Sequence, residues 1–144
     1  MKFPKIAIIA AVLIAAALIV SFGRHHKPSP KVAAENIQDV LKALAASQPV
    51  GKPVVLEFYA DWCTACTKMK PTLTELESRY KGKVFFAFLN VDDAGNTPLV
   101  EKYGVRAIPN VLFFDPEGRM TEQLVGAQDK KRLEDSLERA TARK

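Results

Sequence analysis

Phe58-Tyr59-Ala60-Asp61-Trp62-Cys63-Thr64-Ala65-Cys66 joins a hydrophobic, strand-like run to the start of a helical pattern, and it holds both cysteines of the 144-residue chain. A thiol at a helix N-terminus feels the positive end of the helix dipole and the unpaired backbone N–H groups there. Both favour the thiolate, the form that attacks disulfides. The three-residue offset brings Cys66 back one turn towards Cys63, close enough to close a small disulfide ring. A dithiol that makes and breaks its own disulfide carries electrons, so this pair is the candidate active site. Three other uses of the cysteines stay open at this point. A structural staple this short removes little unfolded-chain entropy. A structural zinc site needs four ligands, and the only histidines, His25 and His26, lie far upstream. A Cu(I) carrier has the soft ligands Cys63, Cys66 and Met69 at helical spacing, although Met69 also fits a core stripe.

Working outward, Pro53 to Ala60 is apolar on both faces except at Glu57. That is the pattern of a central strand covered by helices on each side. After the cysteines, Cys66, Met69, Leu73, Leu76 and Tyr80 repeat at three and four, which predicts one helix to about Tyr80, kinked at Pro71. Lys81-Gly82-Lys83 ends it. Val84 to Val91 reads as a second buried strand, and Pro98 to Tyr103 as a short helix. Val111–Phe114 and Met120–Val125 flank the turn Asp115-Pro116-Glu117-Gly118 and predict a hairpin. Asp129 to Ala140 closes with a helix whose core side includes Leu133 and Leu137. Upstream, Ile37, Val40, Leu41 and Leu44 mark an amphipathic helix over Ala33 to Ala46, broken by Gln48 to Pro53. This order implies a layered α/β domain with parallel and antiparallel strand pairs in one mixed central sheet.

The amino-terminal segment is of another kind. Ile6 to Phe22 is an uncharged, almost wholly apolar run of 17 residues, preceded by Lys2 and Lys5 and followed by Arg24 and Lys27. That is the lower limit for a single membrane-spanning helix, and the alternative is a cleaved signal peptide. Ala15-Ala16-Ala17 meets the small-residue cleavage rule, yet Leu18-Ile19-Val20 carry the apolar run through it. An anchor is therefore expected over residues 1–23, a linker over 24–32 and one folded domain over 33–144. Basic residues on both flanks nearly balance the positive-inside rule. The short basic head resembles a signal-anchor, which gives a single-pass protein of the inner, cytoplasmic membrane with its domain on the periplasmic or extracytoplasmic side. Lys2, Lys5, Arg24, Lys27 and Lys31 account for the whole net charge of +5, leaving the rest of the chain balanced. A balanced domain with no basic stripe argues against nucleic acid as a partner.

Element order joined to particular residues resembles the thioredoxin fold over about Ile37 to Ala140. The residues are FYADWC, the CxxC at a helix start, Pro71 within that helix, LNVD at Asn90 to Asp92 with its preceding strand, YGVRAIP at Tyr103 to Pro109, VLFFD, and Gly126 after the last strand. Within that superfamily, FYADWCTAC and FFDPEG look like the exported domain of transmembrane disulfide reductases and like single-span, membrane-anchored thioredoxin-like proteins, including those serving cytochrome c assembly. The resemblance implies a cis Pro109 packed against the disulfide. It also exposes three departures: Glu57 where thioredoxins carry a buried aspartate, Phe88 where they carry a lysine near that acid, and Asn110 for the usual threonine after the proline.

The expected device is a thiol:disulfide oxidoreductase acting on protein disulfides. Cys63 is the exposed attacking thiolate and Cys66 the more buried resolving thiol. Glu57, with a pKa raised by desolvation, takes the Cys66 proton. Trp62, Thr64, Ala65, Ile108 and Pro109 meet substrate, while Asp61 is a solvated loop acid. Potentials in this chemistry run from about −270 mV to about −120 mV. Thr64-Ala65 offers only a hydroxyl to stabilise a thiolate, and Ile108 looks reductase-like, so the reducing direction is expected. The electron donor implied by resemblance is a transmembrane thiol reductase. The device needs no cofactor and no metal, and works as a monomer. A Cu(I) or assembly chaperone and a disulfide-forming oxidant are the alternatives.

Overall fold

A computed structural model describes residues 36–142. The expected anchor and linker, with His25 and His26, lie outside the described residues. No helix among the described residues is long and apolar enough to cross a membrane.

The elements run α1 (Ile37–Ala45), β1 (Val54–Tyr59), α2 (Thr64–Arg79), β2 (Phe85–Asn90), a 3-10 turn (Ala94–Asn96), α3 (Thr97–Lys102), β3 (Asn110–Phe114), β4 (Met120–Val125) and α4 (Lys130–Ala142). The four strands form one sheet in the order β2-β1-β3-β4. β1 pairs parallel with β2, β1 pairs antiparallel with β3, and β3 and β4 form the expected antiparallel hairpin.

β1 has a hydrogen-bonded neighbour on each side and a helix layer on each face. Val54, Leu56 and Phe58 pack with Val40 and Leu44 of α1 and Leu99 of α3. Val55, one position out of phase, packs with Met69, Leu73 and Leu76 of α2 and Leu133 and Leu137 of α4. Side chains alternate along a strand, so Glu57 shares the Val55 face, under α2. Continuous hydrophobicity, the signal that marked β1 as central, arises because each face meets its own core.

Two expectations are corrected. β2 is an edge strand, and Phe85, Phe86 and Phe88 are only half-buried. A long apolar run survives at this edge because aromatic side chains cover it. Ile37, expected on the core face of α1, is 36% exposed. It opens the first turn, where the helix has just left its Asn36 cap. As expected, α2 runs on past Pro71 to Arg79. Pro71 lacks only the N–H that would meet the Thr67 carbonyl one turn earlier.

Candidate active site

The cysteine segment is built by the end of β1 and the cap of α2. Cys63 is the N-cap of α2, its backbone extended, and its Sγ accepts from the Cys66 N–H at 3.1 Å. The Cys63 carbonyl accepts from Thr67 N at 3.0 Å and Thr67 Oγ1 at 3.2 Å, so the first turn closes around it. Cys63 and Cys66 form a disulfide with their Cα atoms 5.3 Å apart. A sulfur in the cap position lies where the helix dipole and free N–H groups stabilise negative charge.

The expected contrast in exposure between the cysteines is absent: Cys63 is 6% and Cys66 4% exposed. In the disulfide each sulfur shields the other, and Ala60, Tyr59, Ala65, Val91 and Ile108 pack around the pair. What distinguishes the two is place, Cys63 at the cap and Cys66 within the first turn. Met69 is buried in the α2–α4 core with Leu73 and Val111, apart from the cluster that holds both cysteines. The third soft ligand of a Cu(I) site is therefore committed to packing.

Around the disulfide, Trp62 is 69% exposed, Thr64 is exposed and Ala65 half-buried. The Ile108–Pro109 bond is cis. Pro109 is buried and Ile108 half-buried, and Ile108 packs against the cysteine cluster. The Pro109 carbonyl accepts from Gly126 N at 2.8 Å. Asn110 is 1% exposed, and its Oδ1 accepts from Gln123 Nε2 at 3.1 Å. The substitution for threonine thus binds β3 to β4 inside the domain.

Behind the disulfide lies a cavity of about 190 Å³, lined by Glu57, Tyr59, Ala60, Asp61, Cys66, Thr67, Lys70 and Phe88. Glu57 is 3% exposed, and its Oε1 has no hydrogen-bond partner among the described residues. Its neighbours across the sheet are apolar, Phe88 on β2 and Val111 on β3. Burial pushes the Glu57 carboxyl from an ordinary 4.5 to about 7, while the charge of Lys70 pulls the other way. A carboxyl that changes protonation near neutrality, sharing a cavity with a thiol, is suited to moving that thiol's proton.

The disulfide and the cavity bring Cys63, Cys66 and Glu57 together. Sequence reasoning did not single out two neighbours. Lys70 carries a usable signal, being four residues from Cys66 and so on the same helix face. Asp92, which accepts from Trp62 Nε1 at 2.9 Å, carries none, since a loop contact across 30 residues has no local pattern. Asp61, expected to be a solvated acid, is exposed and accepts from Asn90 Nδ2 at 3.2 Å.

The thioredoxin family model matches residues 31–139. The chain belongs to the thioredoxin family, and its Cys63–Cys66 pair is the redox centre of a thioredoxin-like thiol:disulfide oxidoreductase domain. It is 42% identical over 94 residues to a "Thiol:disulfide interchange protein TxlA homolog" of Synechocystis, covering 65% of this chain and 52% of that one. It is 38% identical over 94 residues to the "Thioredoxin-like protein HCF164, chloroplastic" of Arabidopsis thaliana, covering 65% of this chain and 36% of that one. The chain thus spans about half the length of the first relative and about a third of the second. Among solved structures it is similar to the germline-specific thioredoxin Deadhead of Drosophila melanogaster. There the identity is 29%, the coverage 74% of this chain and 95% of that one, and the TM-score 0.58.

Proposed function

We propose that the protein is a membrane-tethered reductase of protein disulfides, working outside the cytoplasm. The observation that carries the reading is the buried, unpartnered Glu57 carboxyl in the cavity shared with Cys66. In the reduced protein, the Cys63 thiolate attacks one sulfur of a substrate disulfide. A Cys63–substrate bond forms and the other substrate sulfur leaves as a thiolate. Cys66 then gives its proton to Glu57 and attacks Cys63 Sγ. The mixed disulfide breaks, the Cys63–Cys66 disulfide forms and the second substrate sulfur departs. Two electrons pass from the protein's dithiol to the substrate, whose two leaving thiolates are protonated from solvent. Cys63 lost its proton to solvent on ionising, and Glu57 returns to solvent the proton taken from Cys66.

Trp62, Thr64, Ala65, Ile108 and Pro109 form the rim on which substrate rests. The apolar run of residues 6–22 supports a tether in the inner membrane, with the domain on the periplasmic or extracytoplasmic face. The relative from Synechocystis is named for thiol:disulfide interchange, and that chemistry is carried over here. Re-reduction by a transmembrane thiol reductase and service in cytochrome c or other extracytoplasmic protein maturation complete the proposal, with the domain acting as a monomer. Reduction of insulin disulfides, together with the Cys63–Cys66 potential measured against a glutathione buffer, tests it. A potential below about −200 mV fits a reductant, and one near about −120 mV overturns the direction in favour of an oxidant.

A further inference from the structure

Glu57 is a buried acid whose strand neighbours offer it no charge. Phe88, directly across the parallel register on β2, fills with an aromatic ring the place where the thioredoxin resemblance implies a lysine. Val111 on β3 is equally apolar. The charged and titratable groups lining the cavity with Glu57 are Tyr59 at the end of β1, Asp61 in the following loop, and Cys66 and Lys70 on α2. α4 contributes nothing to that lining. Asp61 has the same sign as an ionised Glu57 and is held by Asn90. Lys70 is thus the only cation on the cavity wall among the described residues. It lies one helical turn beyond Cys66, and side chains on a helix lean towards its N-terminus, so Lys70 leans back over the turn that carries the resolving sulfur.

We infer that Lys70, from the helix rather than the neighbouring strand, is the cationic partner of Glu57, a positioning residue that favours its carboxylate as acceptor of the Cys66 proton. The inference rests on the reading of Glu57 as that acceptor. Because Glu57 Oε1 has no hydrogen-bond partner among the described residues, Lys70 acts across the cavity rather than by contact. Its attraction opposes the burial that would otherwise keep the acid protonated at the pH of the reaction. The step is the one written above, with the proton passing from Cys66 Sγ to the Glu57 carboxylate as the Cys63–Cys66 bond forms.

The test uses the full chain in detergent, reduced and mixed with dithiobis-nitrobenzoate, a chromogenic disulfide. It releases one coloured thiolate on attack by Cys63 and a second on resolution by Cys66. The pH profile of the second phase is compared between wild type, Lys70→Met, Lys70→Arg, Glu57→Gln and the helix control Lys68→Met. Lys70→Met is expected to move the midpoint of the resolving phase up by about half a pH unit, with the attack phase less affected. Lys70→Arg should restore the midpoint and Lys68→Met leave it unchanged. An unmoved midpoint in Lys70→Met, with the titrating limb lost in Glu57→Gln, overturns the role of Lys70 while Glu57 keeps its own. An equal shift in Lys68→Met overturns it too, since any helix charge would then serve. If Glu57→Gln keeps the wild-type limb, the acceptor reading itself fails, and the inference with it.

Discussion

Trp62 is joined to Asp92, 30 residues away, by a 2.9 Å hydrogen bond from the indole Nε1 to Oδ2. The ring is 69% exposed beside the disulfide, so this bond fixes a large apolar surface that packing leaves free. Asn90 supports the partner, its Oδ1 accepting from Asp92 N at 2.9 Å. Asp92→Ala should therefore loosen Trp62 without touching the core. As the only tryptophan in the chain, its fluorescence anisotropy should fall, and the KM for a protein disulfide should rise by up to about fivefold, the weight of one modest hydrogen bond. Unchanged anisotropy would show that the ring is held by other means.

The two cysteines differ in position on α2 rather than in exposure, and their substitution should separate them. Cys63→Ser should abolish disulfide reduction, because the sulfur at the helix cap makes the bond to substrate. Cys66→Ser should still attack but accumulate mixed disulfides, visible as adducts on non-reducing gels. Equal trapping by both variants would reverse or remove the assignment.

Burial of Glu57 carries a pH-dependent cost in stability. Its carboxyl titrates at an ordinary 4.5 in the unfolded chain and at about 7 in the fold. Between those values the folded state holds the extra proton, so stability falls as pH rises through that window and levels off above it. The loss from this group is on the order of 3 kcal/mol. Glu57→Gln removes the titrating group, so urea unfolding of the oxidised protein at pH 5 and pH 8 should show a smaller drop for the variant. In the same variant the resolving step should slow by about 10²-fold near neutral pH, and by less at higher pH, where hydroxide assists. A wild-type drop in the variant would assign the pH dependence to other groups.

Gly118 closes the β3–β4 turn against the segment before β1. Its φ is +77°, and a Cβ there would lie 2.3 Å from the Gln48 carbonyl oxygen. Gly118→Ala should cost about 2–4 kcal/mol, combining left-handed strain with a backbone clash. Chemical denaturation reads this directly. A loss below 1 kcal/mol would mean that the turn and the 48–49 segment separate easily.

Much of this was legible in one sequence, for reasons that differ by element. β1 declared itself because a strand covered on both faces must be apolar at nearly every position, and Glu57 stood out as the exception. The cap of α2 declared itself because the CxxC follows that strand directly. β2 misled, since half-buried Phe85, Phe86 and Phe88 read like a core strand although they cover an edge. The cavity behind the cysteines was only partly readable. Lys70 follows Cys66 at the four-residue spacing of one helix face, but Asp61 reaches the cavity by a loop, which shows in no periodicity. The Gln123–Asn110 bond was invisible because it depends on the register of β3 against β4.

The alternation of β1 between its two cores makes the chemistry a matter of parity. Val55 and Glu57 belong to the α2 side, Leu56 and Phe58 to the α1 side. Shifting the strand by one residue against its neighbours would exchange the two sets, turning Phe58 into the cavity and Glu57 into the opposite core. Length changes in the Gln48–Pro53 connection leave that assignment intact, because the loop precedes the strand. A one-residue deletion at Phe58 or Tyr59, taken up by the Gln48–Pro53 loop, would preserve every catalytic residue type and still point the acid away from the sulfurs. Relatives that vary in length at this point should therefore do so before β1 and not within it, which makes strand phase, as much as residue identity, the heritable part of the site.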